Sequence, residues 1–178
     1  MSLKIVKHSK ETDEALIKGF NCGNTRINYF LKNESLIPQI AKTYLMMEND
    51  LLIGFFSISA DGVMSSESKR SNAILGPAIR IYMLAVDNRY KHKRIQLGDG
   101  TDITYAHFML EKCIETIQNI VNKNIGAELV TINSTEDGLH LYTDACDFER
   151  VEEYDAKLLT TDSDEKLTSL IRLIFPEK

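Results

Sequence analysis

The sequence predicts a single domain, residues 1–178, that mixes helices and strands. Its 43% hydrophobic and 26% charged residues are the composition of an ordinary folded domain, and 178 residues suffice to bury a core. Apolar segments of strand type and of helix type alternate along the chain. Their order is two helices, about three strands, a long helix, a strand, a short helix and two strands, which is typical of an α/β or α+β protein.

The N-terminal half predicts two short helices and then a β-hairpin. TDEALIKGF is expected to be helical and to end near Gly19, and NTRINYFLK predicts a second helix with Asn24 as its N-cap. TYLMMENDLLIGFFSISA contains two apolar runs around the turn-prone triplet END, the pattern of a hairpin. Residues 61–77 are rich in Ser, Asn and Gly and are expected to form a long loop before the strand AIRIYMLAV.

The C-terminal half begins with a long amphipathic helix. Apolar residues recur every three or four positions from Ile103 to Val121, and Gly126 follows as a helix terminator. ELVTIN then predicts a buried strand, EDGLHLYTDAC a short helix and FERVEEY a strand. The last segment, KLTSLIRLIF, fits a strand, with a helix as the alternative.

Composition also narrows the class of function. A net charge of −5 disfavours a protein whose whole surface follows a nucleic acid, although RYKHKR is a local basic segment. No apolar run approaches the roughly 20 residues of a membrane span, and the polar start lacks the features of a signal peptide, so a cytoplasmic location is expected. The three cysteines show no CxxC pair, and no metal site is predicted.

One stretch, LAVDNRYKHKRIQLGDGTDITYAHFML, leads from a strand through cations and glycines into a helix. It contains no P-loop motif, and the third glycine of a dinucleotide-binding motif is missing. A helix start with cations and glycines nearby can nevertheless bind a phosphate, because its first amides lack partners within the helix. The alternative is an ordinary exposed loop.

The element order, together with LAVDNRY, IGAELVTIN and LYTDACDF, resembles the GNAT superfamily of acyl-CoA-dependent N-acyltransferases from about Thr43 to Glu153. FNCGNTRINYFL and LLIGFFSISA resemble the branch that includes acetylating toxins. The resemblance implies a mixed, mostly antiparallel central sheet of about six or seven strands, flanked by helices on both faces. It also implies acetyl-CoA as the cofactor.

By this resemblance, the pantetheine arm of the cofactor pairs with the exposed backbone of the strand that ends LAV, at Leu84, Ala85 and Val86. The family's phosphate loop, [RQ]xxGx[GA], is altered. An ungapped match gives Lys91 the basic position but puts other residues where glycines belong, and the available glycines, Gly98 and Gly100, come later. An insertion of about ten residues is therefore expected before the helix.

The helix start is expected between Thr104 and His107, with Thr101 or Asp102 as its cap. Three residues there are predicted to bind the pyrophosphate through their amides: Thr104, Tyr105 and Ala106. Asn133, at the end of ELVTIN, resembles the residue that seats the pantetheine or holds the next helix.

The family commonly uses a tyrosine after the fifth strand to protonate the departing thiolate, and LYTDACDF offers Tyr142. A phenol pKa near 10 suits that role. The alternative is a core aromatic whose hydroxyl is bonded to a backbone carbonyl. Glu48, Asp61 or a water chain are candidates for the general base, since Arg80 stands where some members carry a glutamate.

The function predicted from these residues is acetyl transfer from acetyl-CoA to a primary amine of a small molecule or a protein. Two alternatives remain: a toxin-like enzyme acting on aminoacyl-tRNA, and a CoA-binding regulatory domain without turnover. The altered phosphate loop and Asp147, where the family usually has glycine, motivate the second alternative. A nucleic-acid partner other than tRNA is not expected, nor is a membrane, and the last strand could pair across a homodimer.

Overall fold

The computed structural model describes residues 3–12, 14–65, 74–154, 156–158 and 167–175. Its helices are α1 Glu14–Gly19, α2 Thr25–Asn33, α3 Tyr105–Lys123 and α4 Leu139–Cys146. Its strands are β1 Leu3–Lys7, β2 Lys42–Glu48, β3 Leu51–Ser65, β4 Ile74–Val86, β5 Arg94–Gln96, β6 Asp102–Thr104, β7 Leu129–Ser134, β8 Glu149–Arg150, β9 Ala156–Leu158 and β10 Thr168–Leu173. No described helix is both long and apolar enough to cross a membrane.

The chain divides into two compact units, and β3, β4 and α3 contribute residues to both. The first unit comprises residues 1–58 and 82–112, and the second comprises residues 59–81 and 113–178. In the first unit the strand order is β1-β2-β3-β4. In the second it is β3-β4-β7-β10-β8, with β9 pairing to β3.

The β2–β3 hairpin of the first unit forms where the sequence predicts it. Asn49 and Asp50 both have left-handed backbones, with φ of 47° and 64°. Two such residues make the turn whose twist matches that of the flanking strands, and Asn and Asp adopt this conformation more readily than most residues. The strands pair from Glu48 with Leu51 to Lys42 with Ile58.

An aromatic core holds α1 and α2 in the first unit. Phe20 packs edge-on against Phe55 with ring centroids 5.4 Å apart, and Phe30 stacks on the same ring at 6.2 Å. All three side chains are buried, and each contributes roughly 2 to 3 kcal/mol by leaving water. Asn24 caps α2 as expected, because its side chain accepts the amide of Ile27 at 3.1 Å.

The second unit contains the parallel strand pair β4–β7. Its register runs from Ala78 with Leu129 to Ile81 with Ile132. The other pairs with a described register are antiparallel, including β7 with β10 and β10 with β8. The predicted fold class, a mixed and mostly antiparallel sheet with helices, is therefore confirmed.

Two local predictions are corrected and a third is confirmed. The expected loop at residues 61–77 is too long, because β3 continues to Ser65 and β4 begins at Ile74; the rest of it, residues 66–73, lies outside the described residues. FERVEEY forms only the two-residue β8 and then a 3-10 turn at Val151–Tyr154. Val151 is buried in an apolar cluster with Leu158 and Ile171, so packing overrides its strand propensity. The strand predicted for KLTSLIRLIF is confirmed by β10, and its helix alternative is wrong.

Candidate functional site

The end of β4 lies in the first unit and contains Leu84, Ala85 and Val86, the residues expected to pair with pantetheine. The β4–β7 register stops at Ile81, so residues 82–86 continue β4 beyond it. Backbone groups of a strand that outruns its neighbour can hydrogen-bond an extended ligand, whatever the side chains. This is the geometry that the sequence resemblance requires.

Gly54 on β3 allows the backbone at Ala85 to approach closely. A Cβ built on Gly54 would lie 2.7 Å from the Ala85 carbonyl oxygen and 2.9 Å from Sδ of Met109 on α3. Any side chain would have to displace a strand or the helix side chain. Gly54 therefore fixes the spacing among β3, the end of β4 and the first half of α3.

Asp87, the residue after β4, is a buried anchor for two loops. Its carboxylate accepts the amide of Asn21, between α1 and α2, at 3.0 Å, and the amide of Arg89 at 3.0 Å. The Arg89 guanidinium completes the shell with Nε 2.8 Å from Oδ1 and a second nitrogen 3.1 Å from Oδ2. Burial alone would raise the pKa of Asp87, but the hydrogen bonds from Arg89 and Asn21 outweigh it and hold the pKa below its usual value.

The insertion expected before the long helix is a small hairpin of β5 and β6. Gly98 and Gly100 lie in its turn, where the Gly100 amide donates to the Leu97 carbonyl and Gly100 has a φ of 87°. Arg94 binds Asp102 across the hairpin, with Nε 2.6 Å from Oδ2. Asp102 is therefore paired with Arg94, which removes the charge conflict that a carboxylate cap would create for a phosphate.

The start of α3 is at Tyr105, within the range predicted, but its cap is Thr104. The Thr104 hydroxyl accepts the amide of His107 at 3.1 Å, so the expectation of Thr101 or Asp102 as cap is wrong. The Tyr105 amide donates to the Lys93 carbonyl at 3.3 Å. The amide of Ala106, second in the helix, has no carbonyl within the helix to pair with and is the donor best placed for an anion.

Cations surround Tyr90 in the loop that follows β4. The Arg89 guanidinium carbon lies 5.7 Å from the centre of the Tyr90 ring and Lys93 Nζ lies 5.1 Å from it. Lys91, the cation assigned to the phosphate loop by resemblance, is exposed. His92 has a φ of 66°, a left-handed backbone that favours glycine. A residue with a side chain therefore holds a backbone conformation that glycine would adopt without strain.

Tyr142 lies in the second unit, on α4, and is 6% exposed. Its ring packs edge-on against Phe148 with centroids 5.8 Å apart. Within the described part of the chain its hydroxyl makes no hydrogen bond, so the bond to a backbone carbonyl expected of a purely structural tyrosine is not formed there. Burial, and then the neighbouring thiols of Cys113 and Cys146, raise the pKa of Tyr142 well above its usual value. The phenol therefore stays protonated throughout the neutral range.

Asn133 and Asp61 are also in the second unit, and both are engaged with neighbours. The Asn133 side-chain oxygen accepts the Ser169 hydroxyl of β10 at 2.9 Å. The Asp61 carboxylate accepts the Thr131 hydroxyl and the Gly62 amide, each at 2.8 Å. Asp147, where the resemblance expects glycine, ends α4 with a φ of 54°, a left-handed conformation that glycine adopts most readily.

Sequence reasoning missed Asp87, Gly54 and the pairing of Glu48 with Tyr105. A charged residue directly after a buried strand was a signal for Asp87. Gly54, alone between apolar strand residues, was a signal for close backbone approach. Glu48 and Tyr105 are 57 positions apart, and no local pattern links them.

Comparisons with known proteins give a fold. No protein-family model matches the sequence, and no curated protein sequence matches it. Among solved structures, a bacterial toxin is 15% identical with a TM-score of 0.70, covering 97% of this chain and 91% of its own. AtaTR bound with acetyl-CoA is 16% identical with a TM-score of 0.66, covering 97% and 94%.

An IAA acetyltransferase from Bacillus cereus is 15% identical with a TM-score of 0.51, and the match covers 97% of this chain and 99% of that one. Sequence identities this low support a shared fold and do not establish a shared activity. These similarities indicate the same fold as the order of the helices and strands and the parallel β4–β7 pair. The chain has the fold of the GNAT acetyltransferases.

Proposed function

We propose that this protein is an acetyl-CoA-dependent N-acetyltransferase that moves an acetyl group to a primary amine of a small molecule or a protein. The observation that carries the proposal is the continuation of β4 beyond its register with β7, followed by a loop rich in cations and the capped start of α3. The GNAT fold and an acetyl-CoA complex among the structural neighbours support it.

The residues of the first unit fit the cofactor. The backbone of Leu84, Ala85 and Val86 would pair with the amide groups of pantetheine. The Ala106 amide and the dipole of α3 would face the pyrophosphate, and exposed Lys91 would add attraction for a phosphate. Asp102, near this helix start, has its carboxylate paired with Arg94, so its charge repels a phosphate less.

Acetyl-CoA, when bound, supplies the acetyl group as a thioester whose sulfur leaves as a thiolate. Tyr142 holds the proton that this thiolate takes at its Oη. The amine nitrogen forms the new C–N bond as the C–S bond breaks, and it gives up a proton that restores Tyr142 through water. Because burial raises the pKa of Tyr142, the phenol still holds its proton at neutral pH when negative charge develops on sulfur.

Isothermal titration of the purified protein with acetyl-CoA tests the proposal, with CoA and dephospho-CoA as comparisons. We expect micromolar binding of acetyl-CoA and weaker binding of dephospho-CoA, which lacks the 3′-phosphate. An amine panel, followed by release of free thiol, then tests turnover. Absence of binding at millimolar acetyl-CoA would overturn the proposal, and binding without turnover on any acceptor would favour a regulatory domain.

A second candidate is acetyl transfer to aminoacyl-tRNA. The cationic loop around Tyr90 favours it, because an aromatic ring flanked by Arg89 and Lys93 is suited to an RNA backbone with splayed bases. The resemblance of FNCGNTRINYFL to the branch that includes acetylating toxins also motivates it, and a bacterial toxin is among the structural neighbours.

Binding of tRNA at two salt concentrations separates the two candidates. If tRNA is the acceptor, its affinity should fall by about tenfold or more between 50 and 200 mM salt, as expected for a few released counterions. Lys91→Glu should weaken tRNA binding further. No measurable tRNA binding at 50 mM salt would leave the small amine or protein acceptor.

A further inference from the structure

A long-range hydrogen bond fixes the first residue of α3 to the end of β2. The Tyr105 hydroxyl donates to Oε2 of Glu48 at 3.1 Å. The other carboxylate oxygen, Oε1, is buried and has no hydrogen-bond partner in the part of the chain that is described. An ionised carboxylate with so few donors depends strongly on each one, so this bond is stronger than a neutral one.

The same tyrosine also holds the loop that follows β4. Its ring meets Tyr90 edge-on at 5.5 Å, and its amide donates to the Lys93 carbonyl at 3.3 Å. The cationic groups of Arg89 and Lys93 in turn lie over the ring of Tyr90. Tyr105, the first residue of α3, therefore contacts both β2 and the cationic loop after β4.

These contacts also bear on the general base. Oε2 of Glu48 is occupied by the Tyr105 hydroxyl, and Oε1 is closed to solvent. Neither oxygen can reach an incoming amine without breaking that arrangement. Burial, the hydrogen bond to Glu48 and the charge of Glu48 raise the pKa of Tyr105 to about 12, so the hydroxyl remains a donor at neutral pH.

We propose that Glu48 and Tyr105 are positioning residues for the cofactor's phosphates: Glu48 fixes Tyr105, and Tyr105 fixes the first turn of α3 and the Ala106 amide beside it. This rests on the proposed function. Neither side chain acts on the acetyl group. The pair instead sets the direction of amide donors that must match a pyrophosphate within a few tenths of an ångström.

Tyr105→Phe removes the hydroxyl and keeps the ring against Tyr90. We expect the dissociation constant for acetyl-CoA to rise about tenfold, a typical effect of losing a hydrogen bond to a charged group. Glu48→Leu should have a similar effect, whereas Glu48→Gln keeps an acceptor oxygen for Tyr105 and should recover most of the affinity. Tyr29→Phe, at an exposed tyrosine of α2, is the matched control and should bind as the parent does.

A second ligand separates positioning from general loosening of the fold. S-acetylpantetheine lacks the pyrophosphate and would not reach the start of α3, so Tyr105→Phe should leave its affinity unchanged. Equal loss of affinity for both ligands would overturn the proposal, as would unchanged affinity for acetyl-CoA in Tyr105→Phe. If the parent protein binds neither ligand, the proposed function itself fails, which is a different result.

Discussion

The carboxylate of Asp87 accepts the backbone amide of Asn21 at 3.0 Å and so ties the α1–α2 loop to the end of β4. The Asn88 amide strengthens this tie by donating to the Asn21 carbonyl at 2.8 Å. The segment that precedes α2 is thus held by the same residue that follows the predicted pantetheine strand. Any change at Asp87 should affect both loops.

Asp87→Asn should lower the free energy of unfolding by about 2 kcal/mol, because an amide cannot accept all the bonds that the carboxylate takes from Asn21 and Arg89. Since the folded pKa of Asp87 is lowered, its contribution is complete above the ordinary Asp pKa of about 3.9 and is lost as the pH falls below it. Urea unfolding of both proteins at pH 7 and pH 3 measures this.

The difference in the free energy of unfolding between Asp87→Asn and the parent should be smaller at pH 3 than at pH 7. Asp50→Asn is the control, because Asp50 is 92% exposed and its bond to Lys4 is a surface ion pair worth less than about 1 kcal/mol. A gap that is the same at both pH values would show that the Asp87 charge does not contribute to stability.

Tyr142→Phe should lower turnover about 100-fold while leaving acetyl-CoA affinity within about twofold, the pattern for loss of a proton donor. Its thermal stability should change little, because the hydroxyl makes no hydrogen bond within the described residues. The raised pKa also predicts that the parent's rate shows no loss from phenol ionisation up to pH 10. Steady-state rates over pH with an acceptor found in the amine panel measure these effects, and unchanged turnover would remove Tyr142 from the mechanism.

The fold was predictable where local pattern and tertiary structure agree. A few neighbouring residues are enough to determine the apolar stripe of α3, the Asn24 cap and the left-handed pair Asn49-Asp50. β3 and β4 are longer than predicted because part of their pairing is with distant strands, as in Val63 with Leu158. The composition of residues 61–77 does not indicate which distant strands pair with β3 and β4.

The candidate site was predictable in outline and not in register. Resemblance located the end of β4 and the start of α3. It could not identify Thr104 as the cap, because Thr101, Asp102 and Thr104 are all good caps and only the β5–β6 pairing decides among them. The roles of Leu84, Ala85, Val86, Asn133 and Tyr142 stay predictions.

Gly54→Ala should destabilise the protein by about 1 to 3 kcal/mol, the usual cost of inserting a methyl group into a packed region. The added Cβ would meet the Ala85 carbonyl and the Met109 side chain. Because Ala85 belongs to the predicted pantetheine strand, acetyl-CoA affinity should fall as well. Gly19→Ala is the matched control, since nothing lies within 4 Å of a Cβ there. Equal stability and affinity in both variants would mean that the Gly54 contact relaxes without effect.

Ala106→Asp should weaken acetyl-CoA binding without destabilising the fold. A carboxylate in the first turn of a helix interacts favourably with the helix dipole by about 0.3 to 1 kcal/mol, so stability should rise slightly. The same charge beside a pyrophosphate is repulsive, and the dissociation constant should rise at least tenfold at low salt.

Ala106→Asn has the same shape without the charge and should bind nearly as the parent does. Titration of the three proteins at 50 and 500 mM salt measures the effect, because screening should reduce the difference between Asp and Asn. If Ala106→Asp binds as tightly as Ala106→Asn at low salt, the phosphates do not lie at the start of α3, and the turn at Gly98 and Gly100 becomes the place to look.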